Sequence, residues 1–167
     1  MSGNVKVEFS PIGVVKREPS DDEERELRRK SPVVIQVFPE FQEALEGLDG
    51  FSHIFVLSYL DRLRPEQKNH LRIQPRRSLL LKTGLRIEEI PLVGVFAIDT
   101  PGRPNPIGLT LVKLLGIEGR ELSVLGLDLF NGTPILDIKP YRDDYRTTEY
   151  KLADWYKKLR DIAGEEV

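Results

Sequence analysis

Short runs along this chain, several of them alternating apolar and polar positions with a period of two, are separated by Gly and Pro. The runs are residues 5–9 (VKVEF), 33–38 (VVIQVF), 53–60 (HIFVLSYL), 91–98 (PLVGVFAI), 109–117 (LTLVKLLGI), 121–129 (ELSVLGLDL) and 134–141 (PILDIKPY). They are rich in β-branched and aromatic residues, and the alternation places one set of side chains on a buried face and the other towards water. Seven such runs predict a barrel or a sandwich. Gly119 sits between two of them in IEGRE (117–121), at a length suited to a hairpin, so those two strands are expected to pair antiparallel.

The helical period of 3.6 shows in two places. Residues 39–48 (PEFQEALEGL) begin with Pro at a permitted first-turn position and carry Phe41, Ala44, Leu45 and Leu48 on one face, which predicts a helix packed across the sheet. Residues 147–164 have Thr147 or Thr148 to cap, apolar residues from Tyr150 to Ile162 at helical spacing, and a terminal Gly, which predicts a C-terminal helix over about 148–163. Strands in the middle with helices at the margins do not make an alternating βα pattern. There is also no G-x-G-x-x-G or P-loop string, which disfavours a doubly wound nucleotide fold. Residues 18–31 are nearly all charged and lie between strand runs, so they are read as an excursion from the sheet.

Composition narrows the chemistry. A chain of 167 residues fits one domain, here 1–167 with its core over about 5–141, and can bury roughly two-thirds of its unfolded surface without cross-links. With no Cys and only His53 and His70, there is no disulfide frame, no thiolate nucleophile and no usual zinc site, and no metal is expected. The polar N-terminus and the lack of any window of membrane-spanning length point to a cytoplasmic protein with no membrane partner. Twenty-five basic and 27 acidic residues give a net charge of −2, but the distribution is uneven. Between positions 62 and 86 there are eight cations (Arg62, Arg64, Lys68, Arg72, Arg76, Arg77, Lys82 and Arg86) against Glu66 alone, a local field suited to a phosphate backbone. A solvated basic face reads these residues as well, since no aromatic side chain interleaves them.

Two stretches carry candidate chemistry. In RPNPIGLTLVKL (103–114) the prolines hold Arg103 and Asn105 out of the helical region and present them from a stiff backbone. In DLFNGTPILDIKPY (128–141) a polar turn leads into a strand on which Asp137, Lys139 and Tyr141 share one side. On the residues alone, the second stretch also reads as an ion-paired surface strand and the first as a well-made turn. His53 reads as a structural histidine, His70 as a surface residue and Trp155 as a packing anchor.

GFSHIFVLSYLDR from Gly50, VGVFA from Val93, RPNPIGLTLVKL from Arg103 and GLDLFNGTPILDIKPY from Gly126 resemble, in order and spacing, the landmarks of the TsaA/TrmO family over about residues 5–141. The resemblance implies a mainly β fold: a small antiparallel β-barrel of about seven strands, with a short helix after the second or third strand and a C-terminal helix. It also implies a homodimer that binds S-adenosyl-L-methionine and methylates the exocyclic nitrogen of threonylcarbamoyladenosine next to the anticodon of tRNA. Carried onto this chain, it makes Asp137, Lys139 and Tyr141 the catalytic candidates, with Asp137 as base or orienter. It makes Asp61, Arg62, Leu109, Asp128, Leu129, Phe130 and Asn131 the cofactor candidates, the oxygens of 128–131 facing a sulfonium and Leu109 forming an apolar wall. Arg103, Asn105, Arg76 and Arg77 become the contacts to RNA. The chain departs from the family where a Pro-Arg-Gln triplet is usual, where Ile98-Asp99 replaces Thr-Arg, where Asn131 replaces Asp, and where Asp61-Arg62 stands in place of a His. A binding module of the same fold without transfer, or a methyltransferase on another substrate, fits these departures as alternatives.

Overall fold

The computed structural model describes residues 5–18, 25–67, 70–75 and 84–163. The chain falls into two compact units, Met1–Arg62 with Ile107–Asp143 and Leu63–Pro106 with Asp144–Val167.

The first unit is a closed antiparallel barrel of six strands. These are β1 (Gly13–Lys16), β2 (Val33–Val37), β3 (His53–Tyr59), β6 (Ile107–Glu118), β7 (Glu121–Leu125) and β8 (Pro134–Pro140), ordered β1-β2-β7-β6-β3-β8 around the barrel. The six-residue helix α1 (Arg25–Lys30) lies between β1 and β2. Closure removes the free edges that would otherwise template pairing with another chain. Alternation along β2, β3 and β7 turns Val33, Ile35, Ile54, Val56, Leu122 and Val124 inward, where all are buried. Each such side chain contributes about 1.5–3 kcal/mol relative to exposure. The expected hairpin is the β6–β7 pair, and Gly119 turns it with φ +58°, in the left-handed region that a side chain disfavours.

Two bulges re-aim this sheet. Opposite β3, Leu57 faces Asp137 but Ser58 faces Ile135, so Leu136 is the extra residue on β8. Opposite β7, Leu114 faces Val124 but Gly116 faces Ser123, so Leu115 is extra on β6. Such insertions bend a strand and let a small barrel curve closed.

In the second unit, β4 (Arg72–Ile73) and β5 (Val93–Gly94) form a two-stranded antiparallel pair, and α2 (Asp154–Ala163) is the C-terminal helix. Ile90 and Leu159 are the centre of its core, with Leu85, Trp155 and Ile162 against them, so Trp155 is a packing anchor as expected.

The mainly β barrel with a C-terminal helix is the fold anticipated, with differences of detail. Residues 5–9 alternate but form no strand, and Val5, Val7 and Phe9 are exposed. Alternation describes a surface that could pair; it does not supply the partner. The strand at this end is β1, whose four residues GVVK are too short to show a period. Residues 91–98 break after Gly94 into a single 3-10 turn, Val95–Ala97. The predicted helix at 39–48 is a 3-10 segment, Pro39–Leu45, yet Phe41, Leu45 and Leu48 pack against the barrel core as the spacing required. The C-terminal helix begins at Asp154, six residues later than the capping threonines suggested.

Candidate functional site

Odd-numbered residues on β3, and on β6 as far as its bulge at Leu115, face outward, because their even-numbered neighbours Ile54, Val56, Ser58, Val112 and Leu114 are buried. The register then writes this outer face in rows. Asp137, Leu57 and Leu109 lie across β8, β3 and β6, and Lys139, Phe55 and Leu111 form the next row. The main chain of Tyr141 continues β8, its N–H donating to the His53 carbonyl at 3.0 Å. The Tyr141 ring meets Phe55 edge-on at 5.7 Å and His53 at 6.5 Å. Lys139 Nζ lies 2.7 Å from Asp137 Oδ2, while Asp137 Oδ1 accepts from the Ile138 N–H at 2.9 Å. Both oxygens of this carboxylate are therefore oriented. Leu109 and Leu111 are 67% and 45% exposed, so the face is an apolar platform bordered by an acid, a cation and a phenol.

The β7–β8 loop is the second part of the site. Leu127 and Leu129 bury their side chains in the barrel core, so at Leu129 the main chain, rather than the side chain, is what can meet a ligand. Three arginines donate to carbonyls of this loop: Arg17 Nη2 to Leu127 at 2.7 Å, Arg28 Nε to Asp128 at 3.0 Å and Arg62 Nη2 to Asn131 at 2.7 Å. The guanidiniums of Arg28 and Arg62 also lie over the Phe130 ring, 4.5 and 4.6 Å from its centroid. Asn131 Oδ1 accepts from the Arg17 N–H at 3.1 Å, and Arg29 stands 3.8 Å from the Asp128 carboxylate. These carbonyls thus already carry cationic donors. A sulfonium there would meet guanidinium charge as well as carbonyl oxygen.

Of the residues singled out in the sequence, Leu109, Asp137, Lys139 and Tyr141 come together on the outer face. Arg62, Asp128, Phe130 and Asn131 come together in the loop contacts. Asp61 lies two residues past the end of β3 and is exposed. Arg103 and Asn105 belong to the second unit. The Arg103 side chain is half-buried and its Nη2 donates to the carbonyls of Val95 at 2.9 Å and of Ile98, which makes it a clasp on its own loop; Asn105 is exposed. Arg76 and Arg77 lie outside the described residues. Sequence reasoning missed Arg17 and Arg28, because basic residues in a charged run signal solvent, and no pattern marks the two that turn inward. It also missed Phe55 as a wall of the outer face, whose only signal was its place two residues after His53 in an alternating strand.

The arrangement offers apolar area for a flat ring, both signs of charge at its border and an oriented carboxylate able to take or direct a proton. Residues 19–146 match the family described as the tRNA-methyltransferase O N-terminal domain. A Methanothermobacter thermautotrophicus protein described as a probable S-adenosyl-L-methionine-binding protein is 39% identical over 84% of this chain and 94% of its own length. A Pyrococcus abyssi protein of the same description is 32% identical over 90% of this chain and 76% of its own. The crystal structure of TrmO from Pseudomonas aeruginosa superposes with a TM-score of 0.64 at 30% identity, covering 88% of this chain and 61% of that one. The present chain therefore spans nearly all of the first relative but less than two thirds of the solved neighbour. With the barrel, the RPNPIG and NGTPILDIKPY landmarks and a match over most of its length, the chain belongs to the tRNA-methyltransferase O N-terminal domain family.

Proposed function

We propose that this protein is a cytoplasmic, homodimeric, S-adenosyl-L-methionine-dependent tRNA methyltransferase that acts on the exocyclic nitrogen of threonylcarbamoyladenosine beside the anticodon. The observation that carries the reading is the row Asp137, Leu57, Leu109, which sets an oriented carboxylate beside an exposed apolar platform on the barrel wall. Family membership supports the reaction class, and relatives described as S-adenosyl-L-methionine-binding proteins support the cofactor. The donor set suits that cofactor, which is a zwitterion with a flat purine and a cationic sulfur.

When bound, S-adenosyl-L-methionine supplies an electrophilic methyl group. The chain's own part is positioning and proton handling. Leu109, Leu57 and Phe55 provide the wall for a purine. Asp61 and Arg62, with the 128–131 loop, hold the polar end. The acceptor nitrogen must lose a proton as it gains the methyl, and Asp137 is the proposed base or orienter, with Lys139 paired to its carboxylate and Tyr141 beside them. Arg103, Asn105, Arg76 and Arg77 are the residues proposed to contact the RNA.

The test is calorimetric titration with S-adenosyl-L-methionine, with Asp128→Ala as control, followed by methyl incorporation into tRNA that carries threonylcarbamoyladenosine. Binding with transfer supports the enzyme. Binding without transfer favours a binding protein of the same fold, in keeping with Asp99 where the family usually has Arg. Reversing Arg76 and Arg77 to Glu is expected to abolish tRNA binding at moderate salt and to flatten the salt dependence of any residual affinity by about one unit of log–log slope per lost phosphate contact. An unchanged slope would remove RNA as the ligand of that segment.

A further inference from the structure

Among the described residues, Arg17, Arg28, Ser58 and Thr133 are the buried polar or charged ones, and the two arginines, only 7% and 8% exposed, converge on one short loop. Arg17 Nη2 bridges the Leu127 carbonyl at 2.7 Å and the Arg28 carbonyl at 3.2 Å, while Arg28 Nε bonds the Asp128 carbonyl and its guanidinium covers Phe130. These contacts tie helix α1 to the loop between β7 and β8. A buried guanidinium is costly unless its donors are satisfied, and here the satisfying acceptors are main-chain oxygens of residues 127 and 128 and of α1 itself.

We propose that Arg28 is a positioning residue of the site: from α1, and braced by Arg17, it fixes the conformation of the 128–131 loop and thereby sets the affinity for S-adenosyl-L-methionine. The affinity half rests on the function proposed above; the loop half does not. A planar guanidinium bonds a carbonyl through Nε and lies flat on a ring at the same time, whereas an ammonium is a point donor and does one or the other. Arg28→Lys therefore keeps the charge and loses the geometry.

The experiment compares the intact protein with Arg28→Lys and with Phe130→Leu. It follows amide hydrogen exchange at residues 129–131 and at the barrel residues Val56 and Val112 without cofactor, then titrates each protein with S-adenosyl-L-methionine. For Arg28→Lys we expect exchange at 129–131 to rise about ten-fold, the barrel to stay folded with Tm lowered by only a few degrees, and Kd to weaken by about the same factor as the exchange, the size of one lost charge-assisted hydrogen bond. Phe130→Leu moves both in the same direction and by less. Unchanged exchange at 129–131 in Arg28→Lys overturns the proposal whether or not the cofactor binds. A loosened loop with unchanged Kd overturns the affinity half. No binding by the unaltered protein overturns the affinity half together with the proposed function, while the exchange result still decides what Arg28 does to the loop.

Discussion

Gly108, the last residue of the RPNPIG landmark, faces inward opposite Ser58, and a methyl group added there would lie 2.5 Å from Ser58 Oγ and 3.3 Å from Leu60 Cδ2. Ser58 is fully buried, and its hydroxyl has no hydrogen-bond partner among the described residues. Close approach of two strands, not a special backbone angle, is what demands glycine here. Gly108→Ala is expected to destabilise the protein by about 1–3 kcal/mol through overpacking, and Ser58→Ala, which removes the obstructing oxygen, to restore part of it. Denaturant unfolding of the two single variants and the double variant checks this; strict additivity would mean that the methyl is accommodated elsewhere. On the outer face, Asp137→Asn keeps the shape of the carboxyl but cannot take a proton. Cofactor binding should persist while methyl transfer falls by about 10²-fold, measured as kcat at saturating cofactor. Equal transfer by the two proteins would assign the proton to another acceptor. The link between Asp137 and Lys139 was legible as a shared strand side. Its neighbours Leu57 and Leu109 were not, because register between distant strands is set by the bulge at Leu136 and by barrel closure, neither of which the local sequence encodes.

Elements were legible where a long run carried its own period and opaque where length or partner decided the outcome. β3, β6 and β8 matched their runs to within a residue or two, since seven or more alternating positions leave one face to bury. The run VKVEF has the same alternation but ends up exposed, and GVVK, with two adjacent valines, is a barrel strand. The 3-10 turn Ile87–Glu89 shows how a short element is held without burial. Glu89 reaches back to the Arg86 N–H at 2.8 Å and to its Nε at 3.3 Å. These two bonds, the main-chain one foremost, hold the Glu89 carboxyl below its ordinary value. A depressed carboxyl stabilises the folded state at pH above its unfolded pKa and loses that contribution as pH falls through the folded one. The turn is therefore expected to loosen only on the acid side. A side-chain carboxyl titration by NMR should place the Glu89 midpoint below the ordinary glutamate value, and a midpoint at or above that value would mean that the turn is open in solution.

At the scale of the whole molecule, the barrel unit carries the outer face and the arginine-braced loop, and the second unit carries Arg103, Asn105 and the small core around Ile90 and Leu159. No helix among the described residues is long and apolar enough to cross a membrane. Cationic residues divide into two kinds that the sequence could not separate: those turned onto main-chain oxygens, such as Arg17, Arg28 and Arg103, and those left at the surface. The central claim is that the platform on β3, β6 and β8 receives S-adenosyl-L-methionine. Leu109 is well exposed, so Leu109→Glu should leave the fold intact, and calorimetric titration with the cofactor, with Tm recorded on the same samples, tests the claim most directly. The account predicts saturable binding by the unaltered protein and its loss in Leu109→Glu at unchanged Tm; binding by the variant as tight as that of the unaltered protein would contradict it.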